Sequence, residues 1–386
     1  PRCARMPDRP KILHTMTWLA PGGGVDRNVY LTMRDLSDRY EMHLAVGCEI
    51  HHHEFDSIPG LTLHVCPHLE RRIRPVKDFR SLLWFARLIR EEEYVIVHTH
   101  EAKASLIGRL AARMARCPFV IYGLHGVTIN DPVSPLQRWV YRFAESITIG
   151  AADQVVSVSQ DAIDHYHRAG IGEDLPSKVV YSGIELDQFV SRDLKSARVE
   201  TRARYGLSEE NLVFVNVGRF SEAKAQRFTI EAFAKLAETS PTARLLLVGE
   251  GPVRNRCEAQ CRDLGVEDRV VFTGFQEDVV SMYAAADIHV LTSLREGLPR
   301  VVVEASLCEI PTVSFEVQGV REVIEDKTSG YVVGSGNVDA LVDRMQQLAA
   351  DGGKRTLLAR NAFEHARKWD HRKMVAELDE IYRNAV

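Results

Sequence analysis

Short runs of β-branched and apolar residues recur along this chain between longer amphipathic stretches, and that alternation narrows the fold more than any other feature. Hairpins would join neighbouring runs by tight turns; runs separated by helical stretches instead give βα units around parallel sheets. In the first half the predicted strands are 11–15, 42–46, 61–65, 95–98, 119–122, 154–158 and 178–181, with helices near 28–37, 78–92 and 104–115. The second half repeats the scheme, with strands 213–217, 243–248, 269–273, 288–291 and 311–315 and helices near 226–238, 253–264, 279–285 and 299–307. Between them Ser191–Gly206 is rich in charge and reads as a solvated linker or an exposed helix. The expectation is an α/β chain of two Rossmann-like, doubly wound domains, 9–190 and 191–372, facing a central cleft. A last helix, 373–386, has apolar positions at helical spacing that suit packing back onto the first domain.

Composition excludes several classes of function. Forty-nine Lys and Arg against 53 Asp and Glu leave a net charge of −4, so no chain-wide basic field is available to hold nucleic acid. Any anion must be bound locally. The most lipophilic stretch, Ser81–Ile89, is interrupted by Arg87 and ended by Arg90, well short of the roughly 20 apolar residues of a membrane-spanning helix. Residues 1–10 lack the apolar segment of a secretory signal. The seven cysteines are scattered without a Cys-x-x-Cys pair, which fits reduced thiols and a cytoplasmic protein. Cys257 and Cys261, four apart, read as buried structural residues.

Ligands of open α/β sheets bind beyond the carboxyl ends of the strands, so the loops there carry the functional signal. The first holds Gly22-Gly23-Gly24 before a helix, where backbone N–H groups and the helix dipole favour a phosphate. It matches neither the Walker phosphate loop nor the dinucleotide fingerprint. After 213–217 the loop Gly218–Gln226 carries Arg219 and Lys224, a planar fork and a point charge that together suit a diphosphate. A solvated surface pair is the other reading of the same two residues.

The most specific feature is Glu296-Gly297-Leu298-Pro299-Arg300-Val301-Val302-Val303-Glu304. With Pro299 in the first turn, Glu296 falls in the preceding loop and Glu304 about one turn into the helix, so both can line one pocket. Carboxylates repel phosphate but accept well from a vicinal diol. Diphosphate donors beside diol acceptors describe a nucleotide-sugar.

With these residues in view, the chain resembles the retaining GT-B glycosyltransferases of the GT4 group, the glycosyl transferases group 1. The resemblance spans Gly22–Gly24, His98-Thr99-His100-Glu101-Ala102-Lys103-Ala104, Leu124-His125-Gly126, Ser182–Phe189, Val217-Gly218-Arg219 with Lys224, Leu247–Pro252, the Glu296/Glu304 motif and Gly319–Val323. It implies that Arg219 and Lys224 hold the donor diphosphate, that Glu304 binds the ribose, and that Glu296 with the backbone of Gly297 and Leu298 contacts the donor sugar. It also implies that His125 stands beside the sugar's reacting end, that Gly22–Gly24 close near the phosphates, and that Gly274 and Phe275 border the base. Two departures bear on loop geometry: Ala225 stands where glycine is common, and Gln318-Gly319 replaces a frequent Gly-Gly.

The implied reaction moves a sugar from a nucleotide-diphospho-sugar, with a UDP-sugar favoured, to a hydroxyl of a saccharide or lipid-linked acceptor in polysaccharide biosynthesis. A nucleoside diphosphate leaves readily, and Arg219, Lys224 and a helix end can stabilise its charge. No Asp-x-Asp, His-Glu-x-x-His or zinc spacing occurs, so the expectation is transfer without a metal or other cofactor. Retention by double displacement would need a carboxylate nucleophile. The resemblance implies front-face attack instead, with Glu296 positioning the sugar.

Other features read more plainly. His51-His52-His53 alternate faces on a strand and suit a solvated loop better than a metal. His98 and His100 share a face and either line the acceptor side or are structural. Arg71–Arg80 holds five cations against Asp78 alone, before the apolar 82–88 stretch, and reads either as a solvated helix face or as a peripheral contact with anionic lipid at the inner membrane face. A nucleotide-sugar 2-epimerase shares the architecture but would turn over without acceptor; a non-catalytic nucleotide-sugar binder would have no need of the full set Arg219, Lys224, Glu296 and Glu304. A dinucleotide oxidoreductase fits poorly, since Arg254 stands where the third glycine of Gly249-Glu250-Gly251 would fall.

Overall fold

A computed structural model describes residues 9–19, 23–51, 54–126 and 135–386. The chain divides into two compact units: residues up to Gly183 together with His371–Val386, and Ile184–Asp370. Each is an all-parallel sheet with helical crossovers.

In the first unit the strands are β1 (Lys11–Met16), β2 (Glu41–Val46), β3 (Thr62–Val65), β4 (Ile96–Thr99), β5 (Phe119–Leu124), β6 (Gln154–Ser157) and β7 (Ser177–Val179), in spatial order β3-β2-β1-β4-β5-β6-β7. Strands β1 and β4 are adjacent though not consecutive, so the chain reverses its winding between them. One face of this sheet is covered by the Gly24–Leu36 helix and by the last helix, His371–Ala385, whose Met374, Leu378, Ile381 and Tyr382 are buried against Ile12, Val29 and Ile121. The other face carries Phe85, Ile89, Ile107 and Ala111 of the Pro75–Glu92 and Ala102–Ala115 helices.

The second unit has β8 (Leu212–Val217), β9 (Ala243–Val248), β10 (Val270–Gly274), β11 (Ile288–Leu291), β12 (Thr312–Phe315) and β13 (Gly330–Val333), in order β10-β9-β8-β11-β12-β13. Its reversal lies between β8 and β11. Strand β13 carries no strand signal of its own beyond four residues, and its pairing with β12 makes it a strand.

Two expectations need correction. The second unit begins at Ile184 rather than at 191, because Ile184 pairs with Asp370 and the Asp187–Val190 helix packs against Arg300–Leu307. Ser191–Gly206 is a helix exposed along much of its length rather than a linker, but it is not solvated throughout. It forms the Leu194–Arg204 helix, and Arg202 is fully buried, its guanidinium 3.0 Å from Asp287 and bonded to the carbonyls of Ala285 and Ser208. Arg198 and Arg202 dock this helix onto the loop before β11, while Asp193, Lys195, Glu200 and Arg204 stay exposed. Cys257 and Cys261 lie in the hydrophobic core of this unit, and burial raises their thiols to about 11 and about 12.

Candidate functional site

The reversal points of the two sheets collect most of the predicted site residues. In the second unit the loops after β8 and β11 are laced together. Leu294 N–H donates to the Ala223 carbonyl at 2.8 Å, and the Thr292 hydroxyl to the Ala225 carbonyl at 3.2 Å. Lys224 Nζ reaches Glu296 Oε1 at 2.6 Å, with both side chains mostly shielded from solvent. Two residues given different tasks by sequence therefore form one ion pair. Arg219 opens the same loop, and its carbonyl accepts from the Gln226 side chain at 3.1 Å.

Ala225 has φ 48° and ψ 45°, the left-handed region that glycine enters without strain. That explains why glycine suits this position, and here the next helix, Gln226–Ala237, starts from a strained alanine. Of the pair Gln318-Gly319, only Gly319 has positive φ, at 73°, so glutamine at 318 carries no backbone penalty. A Cβ on Gly319 would stand 2.4 Å from the Gly297 carbonyl oxygen. Gly319 thus fixes the backbone of Gly297 and Leu298 by close approach.

Pro299 is the N-cap of the Arg300–Leu307 helix, one position earlier than expected, and Glu304 sits on the fifth helical residue. The Tyr283 hydroxyl donates to Glu304 Oε2 at 3.1 Å. Burial, then the neighbouring Glu304 charge, holds the Tyr283 phenol well above its usual range, so it stays a donor. Tyr283 orients Glu304, and it belongs to a helix whose sequence gave no hint of function. Gly274 closes β10 with φ 75°, followed by the half-exposed Phe275. A hollow of about 720 Å³ near Asn211, Thr242 and Arg355 lies at the amino ends of the strands and touches none of these residues.

In the first unit, Gly22 of the glycine run after β1 lies outside the described residues; Gly23 is the N-cap of the Gly24–Leu36 helix, with Gly24 its first residue. His125 follows β5 and, itself only partly buried, adjoins the buried histidines His14, His98 and His100. His14 on β1 stands in register with His98 on β4. His14 Nδ1 contacts His100 Nε2 at 2.9 Å, and His100 Nδ1 contacts His125 Nε2 at 2.8 Å. His98 Nδ1 meets the Tyr382 hydroxyl at 2.8 Å, and that hydroxyl lies 3.4 Å from His14 Nε2. His98 and His100 are thus buried rather than lining an open surface. Burial lowers His14 to about 3 and His125 to about 4, and burial with neighbouring histidines holds His98 and His100 well below their usual range. All four are neutral at pH 7. His14, His98 and His100 each bring a ring nitrogen within 4.8 Å of the others. Yet the 2.9 Å between His14 and His100 is a hydrogen-bond length, shorter than the roughly 3.3 Å between two nitrogens of a tetrahedral zinc site. Of the 51–53 triplet, His52 and His53 lie outside the described residues.

Glu101, next to this cluster, has φ 59° and ψ 157°, a region almost reserved for glycine. Its Oε2 accepts the Thr17 N–H at 2.7 Å, which ties the loop after β1 to the loop after β4.

The basic stretch at Arg71–Arg80 leads into the Pro75–Glu92 helix. Ile73, Val76, Phe79 and Leu83 are exposed, whereas Phe85, Ala86 and Ile89 of the expected apolar stretch are buried. On the Pro135–Thr148 helix Trp139, Phe143 and Ile147 form a second exposed stripe at four-residue spacing. Both helices pack against Ala102–Ala115. No helix among the described residues is long and apolar enough to cross a membrane.

The chain is similar to known proteins over most of its length. Residues 197–365 match the family model for glycosyl transferases group 1, and residues 23–180 match a glycosyl transferase 4-like domain. The N-acetyl-alpha-D-glucosaminyl L-malate synthase of Bacillus anthracis is 30% identical over 316 residues, 80% of this chain and 79% of that protein. The UDP-Gal:alpha-D-GlcNAc-diphosphoundecaprenol alpha-1,3-galactosyltransferase of Escherichia coli is 25% identical over 288 residues, 74% of each chain. Among solved structures, Anabaena HepE in complex with UDP and glucose superposes with a TM-score of 0.81 at 23% identity, covering 97% of this chain and all of that one.

Proposed function

The chain belongs to the group 1 glycosyl transferases, with the GT-B fold, and from that membership we propose a retaining transfer of a sugar from a nucleotide-diphospho-sugar to a hydroxyl of a saccharide or lipid-linked acceptor. The observation that carries the reading is the Lys224–Glu296 pair at the sheet reversal of the second unit, with Glu304 oriented by Tyr283 nearby. Arg219 and Lys224 bind the diphosphate and stabilise the charge that develops as it leaves. Glu304 accepts from the ribose diol, Glu296 and the Gly297–Leu298 backbone hold the donor sugar, and Gly274 and Phe275 border the base. Gly22, Gly23 and Gly24, with the helix that Gly24 opens, serve the phosphates, and His125 serves the sugar's reacting end.

On this reading the acceptor hydroxyl attacks from the face the diphosphate leaves, and the departing phosphate oxygen takes its proton. No metal or other cofactor has a part in the step. A UDP-sugar is the favoured donor, consistent with the UDP-bound Anabaena neighbour and the UDP-Gal in the name of the Escherichia coli relative. Incubation with donor and acceptor, followed by NMR of the product anomer, tests the reaction. Nucleoside diphosphate release only with acceptor, and an unchanged anomeric configuration, are expected; turnover without acceptor would favour the 2-epimerase, and a glycosylated Glu296 would overturn front-face attack.

The name of the Escherichia coli relative specifies a lipid-diphosphate acceptor, and an acceptor of that kind fits a chain that meets the membrane surface. Ile73, Val76, Phe79 and Leu83 beside Arg71, Arg72, Arg74 and Arg80, with Trp139, Phe143 and Ile147 on the second helix, give the mixture of apolar and cationic side chains that binds anionic lipid peripherally. Flotation with anionic but not neutral vesicles, reduced by Phe79→Glu, is the expected result; equal recovery from both would remove this part of the reading.

A further inference from the structure

The first unit contains a row of hydrogen bonds that the transfer reaction, as described, leaves unused. It starts at Tyr382 on the last helix and runs through His14 on β1 and His100 after β4 to His125 after β5. His98 joins it at the Tyr382 hydroxyl.

Each imidazole in the row is neutral, so each carries one ring proton, and every nitrogen-to-nitrogen contact requires one N–H and one lone pair. Only two arrangements satisfy both contacts. In the first, His14 Nδ1–H donates to His100 Nε2, His100 Nδ1–H donates to His125 Nε2, and His125 carries its proton on Nδ1. In the second every proton is reversed, and His125 Nδ1 presents a lone pair. The Tyr382 hydroxyl has one proton and couples the choice to His98. If it donates to His14 Nε2 it accepts from His98 Nδ1–H, which gives the first arrangement. If it donates to His98 Nδ1 it accepts from His14 Nε2–H, which gives the second.

His98 Nε2 breaks the tie, because it is buried and has no hydrogen-bond partner among the described residues. In the first arrangement that atom is a bare lone pair; in the second it is a buried, unpaired N–H. Orphaned donors are the rarer and costlier of the two. We infer that Tyr382, His14 and His100 act as positioning residues that lock His125 as the Nδ1–H tautomer, so that it offers an N–H donor to an oxygen of the substrate. This deepens the reading of His125 in the transfer reaction and rests on it for its consequence, though not for its geometry. A donor at this position suits a sugar hydroxyl or a phosphate oxygen and excludes general-base work by His125.

The test is long-range nitrogen–proton NMR on the full chain with ¹⁵N-labelled histidine at pH 7.5. In the wild type His125 is expected to show a protonated Nδ1 and an unprotonated Nε2; the opposite tautomer, or a doubly protonated ring, overturns the inference. Tyr382→Phe removes a single oxygen and with it the donor that obliges His14 to carry its proton on Nδ1. The two His125 nitrogen shifts are then expected to converge, and kcat to fall roughly five- to tenfold with the donor KM unchanged. Unchanged His125 shifts in that variant would show that no such coupling exists. Should the variant fail to fold, the wild-type spectrum alone still decides the tautomer. His125→Ala separates the two claims: full turnover in that variant would end the assignment of His125 to the reaction while leaving the tautomer lock to stand or fall on the spectra.

Discussion

Lys224 Nζ and Glu296 Oε1 are 2.6 Å apart, and they join the loop after β8 to the loop after β11 at the point where the sheet reverses its winding. The cation proposed to hold a diphosphate is thus paired with the carboxylate proposed to hold a sugar. If the proposed donor binds here, it loosens this pair, because a phosphate and a carboxylate compete for one ammonium.

Glu296→Gln is therefore expected to separate binding from turnover. With the competing charge removed, a nucleoside diphosphate lacking its sugar binds roughly three- to tenfold more tightly, the worth of about 1 kcal/mol for a partly exposed ion pair. Turnover falls at the same time, since the sugar has lost its carboxylate. Titration calorimetry with UDP beside a steady-state assay checks both halves, and weaker UDP binding in the variant would contradict the competition.

On the proposed reading Tyr283 acts on substrate only through Glu304. Tyr283→Phe leaves the carboxylate without its 3.1 Å donor and frees it to rotate, and the expected cost is about 1 kcal/mol in nucleotide affinity, roughly fivefold. Glu304→Gln should cost more, about 1.5–3 kcal/mol, because hydrogen bonds from the ribose to a charged acceptor are lost. Competition binding against a nucleoside diphosphate ranks the two variants; equal losses would mean that Tyr283 does more than orient Glu304.

Gly319→Ala tests how tightly the backbone proposed to hold the sugar is fixed. The added methyl would press on the Gly297 carbonyl and occupy positive φ, a strain of about 1–2 kcal/mol before any clash. At least tenfold lower turnover and a lower melting temperature are expected, and wild-type activity would mean that the Gly297–Leu298 backbone is not part of the site.

The histidine cluster predicts acid sensitivity. His14 is depressed to about 3 and His125 to about 4, with His98 and His100 also lowered, against about 6.5 for an unfolded histidine. The unfolded chain therefore binds more protons below pH 6.5, so the stability these groups contribute is complete above that pH and declines as pH falls toward their folded values. Each costs at most about 1.4 kcal/mol per pH unit. Melting temperatures between pH 6.5 and 5, above the range where most carboxylates titrate, should drop with an uptake of more than one proton on unfolding. A flat profile there would contradict four imidazoles held neutral by the fold.

Much of the fold was legible because parallel strands buried on both faces read as apolar runs, as in Ala243–Val248 and Ile288–Leu291, whose limits match the sequence expectation. Strand β13 was not, since four residues beginning with glycine carry little pattern and their pairing with Thr312–Phe315 decides the matter. Arg202 was misread because local composition shows charge without showing its partner: Asp287 lies 85 residues away. At the site, Lys224, Glu296 and Glu304 stood out through residue type and spacing. Tyr283 and Tyr382 did not, because an apolar-patterned helix gives no sign that one aromatic hydroxyl is aimed at a carboxylate or an imidazole. His14 was hidden likewise, for its meaning arises only when β1 and β4, distant in sequence, become neighbours.

The central claim is a nucleotide-diphospho-sugar bound through the loop that carries Arg219 and Lys224, and titration of UDP-, GDP-, ADP- and dTDP-sugars into the wild type and Arg219→Ala tests it most directly. One nucleotide class, with UDP favoured, should bind the wild type and lose at least tenfold in affinity in the variant, as expected for a charge-assisted contact worth about 1.5–3 kcal/mol. No binding of any of them at millimolar concentration, or equal binding by both proteins, would contradict the donor site.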